Sequence, residues 1–209
     1  MEGAVKIEGG FAEVGAGEWL MGRRQPAAFL GSAVRRRRKG FFLRDRQSLD
    51  LVETTSAAKC ADAWRPFLTH IPCAAPISAV SSKVLVAPAA ARVGAEIVKV
   101  VPMSAKGSIL VTTFGEGWVV MATASRTARL QVADGDTLSV RPESVVAWTG
   151  NRPTGFCPRL GVWDILLPRG PRDLLLHFHG PSVVWAEGSD APGRQASRLP
   201  RFHRRCYGA

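Results

Sequence analysis

The chain has 209 residues, an apolar fraction of 46%, 21 glycines and 14 prolines, and a formal net charge of +11. That length buries a core, and the glycine and proline content favours turns and short strands over long helices. No run approaches the roughly 20 apolar residues needed to span a bilayer as a helix, so a soluble protein without a transmembrane segment is expected.

The opening 22 residues are acidic, with Glu2, Glu8, Glu13 and Glu18 against Lys6. They carry no signal-peptide pattern and contradict an acid-poor mitochondrial transit peptide. From Arg23 to Arg46 the balance inverts: nine basic residues face the single acid Asp45, and Arg35, Arg36, Arg37, Arg38 and Lys39 run consecutively into Phe41 and Phe42. Arginines of this kind suit phosphates, anionic lipid or acidic protein surfaces, because each is always charged and forks onto two oxygens. A solvated or solubilising basic stretch is the competing reading.

Residues 1–80 show no sustained periodicity and read as an irregular, Arg-rich region. One short helix over Leu49 to Trp64, capped by Ser48, fits its middle. From Lys83 to Gly188 the texture changes to short runs of valine, isoleucine, threonine and aromatics, which suit a pleated, half-buried surface. The expected strands are Lys83–Ala87, Glu96–Val101, Ser108–Thr113, Trp118–Thr123, Thr127–Val132, Thr137–Val140, Ser144–Thr149, Val162–Leu167, Asp173–Phe178 and Ser182–Glu187. Turn residues at Gly115-Glu116-Gly117, Asp134-Gly135 and Gly180-Pro181 predict hairpins between their flanking runs. Residues 83–188 are therefore expected to form an all-β, antiparallel sandwich or barrel, with 189–209 as a basic tail carrying Arg201, Arg204 and Arg205.

An internal echo accompanies the strands. Setting Phe114 on Phe178 aligns Val111 with Leu175, Val119 with Val183, Val120 with Val184 and Ala122 with Ala186. Duplication or a shared β grammar would each produce it.

Three stretches, Phe114-Gly115-Glu116-Gly117-Trp118, Leu130 through Trp148, and Leu174 to Glu187 with Phe178-His179-Gly180-Pro181, resemble the altered-inheritance-of-mitochondria family of mitochondrial biogenesis proteins and its bacterial relatives. The resemblance spans Ser108 to Gly188. It implies a β-sandwich similar to the fold of the tryptophan RNA-binding attenuation protein, often built from repeated β units, with no catalytic residues to carry over.

Chemistry-bearing residues are sparse. Cys60, Cys73, Cys157 and Cys206 lack a C-x-x-C spacing and read as free thiols in a reducing compartment, cytoplasmic or, in a eukaryote, mitochondrial. His177 and His179 share one face of a strand, opposite Leu176 and Phe178, and two imidazoles so placed can share a metal ion. No third ligand stands at a telling spacing, so no metal and no cofactor is expected. Neither a G-x-S-x-G turn nor a phosphate-binding glycine loop occurs, and no enzyme is expected. Trp118, Trp148, Trp163 and Trp185 fall in strands and are expected in a core or an oligomer interface. The sequence reading is thus a non-enzymatic β module that assembles with itself or with a protein partner. The alternative is nucleic-acid or anionic-surface binding through Arg35 to Lys39 and Arg201, Arg204 and Arg205.

Overall fold

The computed structural model describes residues 5–22, 34–37, 49–99, 108–156 and 175–188. Its architecture is all-β, with antiparallel sheets packed as sandwiches. The strands fall into three successive sets. The first holds β1 (Lys6–Glu8), β2 (Phe11–Val14), β3 (Gly17–Gly22), β4 (Val34–Arg37), β5 (Leu49–Thr54) and β6 (Ala58–Cys60). The second holds β7 (Phe67–Cys73), β8 (Ile77–Val80), β9 (Val84–Pro88), β10 (Arg92–Lys99), β11 (Ser108–Phe114) and β12 (Gly117–Thr123). The third holds β13 (Thr127–Val132), β14 (Thr137–Val140), β15 (Val145–Thr149), β16 (Thr154–Phe156), β17 (Leu175–His179) and β18 (Ser182–Glu187).

The pairings recur from set to set. β2·β6, β7·β12 and β13·β18 are one recurring pair, and β3·β5, β8·β11 and β14·β17 are a second. A third comprises β4·β5, β10·β11 and β16·β17. In the second and third sets the last strand is also paired by β9 or β15. Each of those strands reaches back to the preceding set, β9 to β3 and β15 to β8, so sheets run across the boundaries. The result is two six-stranded sheets, β4-β5-β3-β9-β12-β7 and β10-β11-β8-β15-β18-β13, and two three-stranded sheets, β1-β2-β6 and β14-β17-β16.

Three cores lie between the successive sheets. Trp19, Met21, Val52, Trp118 and Val120 pack with Ala12 and Val14 between the first small sheet and its six-stranded neighbour. Ile71, Phe114, Val119, Met121 and Val146 fill the space between the two large sheets. Trp148, Leu176, Phe178 and Val184 form the core against β14-β17-β16. Each large sheet is therefore buried on both faces, which explains unbroken apolar runs such as Val84-Leu85-Val86-Ala87. Phe114 and Phe178, aligned by the sequence echo, lie at the last and the penultimate positions of equivalent strands in adjacent cores.

Several expectations need correction. Residues 5–22 and 49–80 are largely strand rather than irregular, and β3 and β5 share a sheet with β9 and β12. Leu49–Thr54 and Ala58–Cys60 are strands where a helix was expected; pairing with β3 and β2 overrides a thin helical stripe. The three expected hairpins are corners. β11 and β12, β13 and β14, and β17 and β18 lie in different sheets, because a two-layer unit must pass its chain from one layer to the other. Gly180 sits where such a corner meets another: a Cβ there would fall 1.7 Å from the Ala133 carbonyl oxygen. A two-residue hairpin does occur at Gly9-Gly10, where both φ angles are positive (59° and 80°) and Glu8 faces Phe11. The expected strand Val162–Leu167, and Trp163 within it, lie outside the described residues.

Candidate interaction surfaces

The strand alternation of Leu176-His177-Phe178-His179 holds as expected. Leu176 and Phe178 are fully buried, and the two histidines occupy the outer face of β14-β17-β16. His179 hydrogen-bonds through Nδ1 to Thr137 Oγ1 at 3.0 Å and through Nε2 to Thr154 Oγ1 at 3.5 Å. Burial holds the His177 imidazole below its ordinary value, and the neighbouring His179 adds to the effect. Among the described residues no group of three His, Cys, Asp or Glu side chains is placed to hold a metal ion.

The thiols of Cys60 and Cys73 are free and buried, and burial pushes them up to about 12 and about 11. Cys60 Sγ donates to the Ala12 carbonyl at 3.2 Å, which ties β6 to β2. Cys157 and Cys206 lie outside the described residues. Trp118 and Trp148 are core residues at 9% and 1% exposure, and Trp185 packs partly buried against the central core. The structure adds Trp19, whose ring stands 5.7 Å from Trp118 and whose Nε1 donates to Thr54 Oγ1 at 2.9 Å. Its place amid Gly17-Glu18 and Leu20-Met21 was a readable strand signal that glycine interruptions obscured.

Of the basic candidates, Arg35, Arg36 and Arg37 form most of β4, the outermost strand of a six-stranded sheet. Arg38, Lys39, Arg201, Arg204 and Arg205 lie outside the described residues.

A buried cation appears elsewhere. Lys83 Nζ lies 2.6 Å from Glu187 Oε1 and donates to the Glu143 carbonyl at 2.6 Å, with side chains only 9% and 16% exposed for the lysine and Glu187. Lys83 belongs to the turn before β9, Glu187 to β18 and Glu143 to the turn before β15, so the cluster joins the second and third sets. Nothing in the sequence marks it: a lone lysine before a valine run looks like an exposed strand start.

Sheet edges are the remaining surface. An open edge exposes a row of backbone N–H and C=O groups, usually blunted by charge, proline or brevity. β1 carries Lys6 and Glu8, β6 Lys59, β4 three arginines, β7 Pro72, β10 Arg92, Glu96 and Lys99, and β13 Arg129, while β16 has three residues. β14, Thr137-Leu138-Ser139-Val140, has neither charge nor proline. Its counterparts β3 and β8 are hydrogen-bonded on both sides, whereas among the described residues β14 is paired on one side only, by β17.

No helix among the described residues is long and apolar enough to cross a membrane. No family model matches the chain, and no curated protein matches it. Its structure is similar to the crystal structure of a Streptococcus pyogenes protein solved by a structural genomics consortium, at 12% identity and a TM-score of 0.63 over 90% of this chain and 93% of that one. At that identity the likeness is one of fold.

Proposed function

We propose that this chain is a non-enzymatic assembly module that works by extending β-sheets from edge to edge, with copies of itself or with a protein partner. The observation that carries the reading is the way its own units join. β9 adds to β3 and β15 adds to β8, so each large sheet is built from two successive units by backbone pairing. Among the described residues the last small sheet has half that width, with a neutral edge at β14. Backbone pairing of this kind joins chains as readily as it joins units within a chain. Membership of the altered-inheritance-of-mitochondria family belongs to the same proposal, supported by the repeated strand, corner, strand pattern at Phe114 and Phe178. So does a cytoplasmic or, in a eukaryote, mitochondrial location. Sedimentation velocity over a concentration series tests the reading: a discrete species heavier than one chain is expected, or a stable complex with a captured protein partner. A lone chain at every concentration, with no partner retained, overturns it.

A second reading rests on β4, where three consecutive arginines occupy an outermost strand. Nucleic-acid or anionic-surface binding through it would weaken steeply with salt as counterions return to the phosphates.

A further inference from the structure

We infer that β14 is a self-pairing edge: two copies of the chain join antiparallel through it, about a twofold axis through Leu138, into one six-stranded sheet β16-β17-β14-β14-β17-β16. The inference rests on the assembly reading above and names its edge and its partner.

The backbone supplies the first argument. Gly180 N–H donates to the Asp136 carbonyl at 3.1 Å, which fixes the phase of the β14·β17 ladder. Antiparallel pairs alternate, so Leu138 and Val140 direct their backbone groups at β17, while Thr137 and Ser139 turn theirs to the open side. Antiparallel pairing about Leu138 sets Thr137 of one copy opposite Ser139 of the other, twice over, and satisfies every one of those outward groups.

Side-chain placement agrees. Leu138 and Val140 pack on the core side, and Thr137 and Ser139 lie on the histidine face opposite His179 and His177. A twofold axis normal to the sheet preserves both faces, so Leu138 meets Leu138 on the apolar side and hydroxyls meet on the polar one. A slip by one residue would put apolar against polar.

Charge selects a second copy as the occupant. Exposed Asp136 precedes the strand and exposed Arg141 follows it. Antiparallel self-pairing sets Asp136 of each copy opposite Val140 of the other, one residue along the strand from its Arg141, whereas parallel pairing would set like charges directly together. The small sheet's outer face carries Thr137, Ser139, His177 and His179 together with partly buried Leu175.

Light scattering on the full chain and on Ser139→Pro tests the inference. The substitution removes an outward N–H and leaves the β17 ladder intact. Wild type is expected at twice 22.5 kDa, and the variant at 22.5 kDa with unchanged circular dichroism and thermal midpoint. A folded variant that keeps the wild-type mass overturns β14 pairing and leaves assembly standing; a monomeric wild type overturns self-assembly as well. Should the proline variant unfold, Arg141→Asp is expected to weaken the dimer at least tenfold and Asp136→Arg combined with Arg141→Asp to restore it. Failure of that restoration overturns the antiparallel register.

Discussion

Lys83 and Glu187 meet at 2.6 Å across the boundary between the second and third sets of strands, in a site where neither side chain is well exposed. Desolvation lowers the lysine's pKa, and the hydrogen bond and charge of Glu187 pull it back up. The pair therefore works as a clamp whose value lies in having both partners. Lys83→Met leaves a carboxylate in a poorly solvated site and the Glu143 carbonyl without its donor, which costs about 3–5 kcal/mol. Joining Lys83→Met to Glu187→Leu should recover most of that loss. Urea unfolding of the two single variants and the double variant reads both effects, and a double-variant loss equal to the sum of the two single losses would show that the two side chains act independently.

The two equivalent phenylalanines give a second prediction. Phe114 and Phe178 are each fully buried, one in the central core and one in the last, so alanine at either should cost about 3–5 kcal/mol. Calorimetric or urea unfolding should show comparable losses. Two separate unfolding transitions in either variant would mean the units do not share one cooperative fold.

Gly180 gives a third. A methyl group there meets the Ala133 carbonyl at a distance no side chain tolerates, and the obstacle is backbone. Gly180→Ala should lower the thermal midpoint markedly more than Gly135→Ala, where nothing stands within 4 Å and only the positive φ resists. Equal effects would contradict the corner geometry.

Acidification should destabilise the fold through two histidines. Burial holds His70 and His177 below the ordinary imidazole value of 6.5. The unfolded chain then takes up protons more readily than the folded one, so their contribution is complete above pH 6.5 and is lost as pH falls toward the lower folded values. His70→Gln combined with His177→Gln should flatten the stability profile over that window. An unchanged slope would assign the pH dependence to other groups.

Much of the β character was legible. From Thr127 to Val140 and from Ser182 to Glu187 the expected and observed strands coincide, because valine, leucine and threonine runs bounded by turn residues admit few alternatives. The strands within residues 5–22 and 49–60 were missed for a physical reason. They are short, three or four residues in β1, β2 and β6, too few for a local period to declare them, and β2 and β6 pair across more than forty residues of chain. Turn residues showed where the chain reverses but not whether it stays in one sheet, since Gly115 to Gly117 serves a hairpin and a corner alike. His177 and His179 were legible as a face. The Lys83 and Glu187 clamp and the one-sided pairing of β14 were not, because both depend on which strands become neighbours.

The most direct measurement is the mass of the purified chain by light scattering, at low and high salt, with ultraviolet absorbance recorded for co-purified nucleic acid. The assembly account predicts a discrete oligomer that survives high salt and carries no nucleic acid, since the backbone pairing and apolar contact persist when the flanking charges are screened. A monomer whose nucleic-acid absorbance disappears in high salt would contradict it and assign the function to the arginine strand.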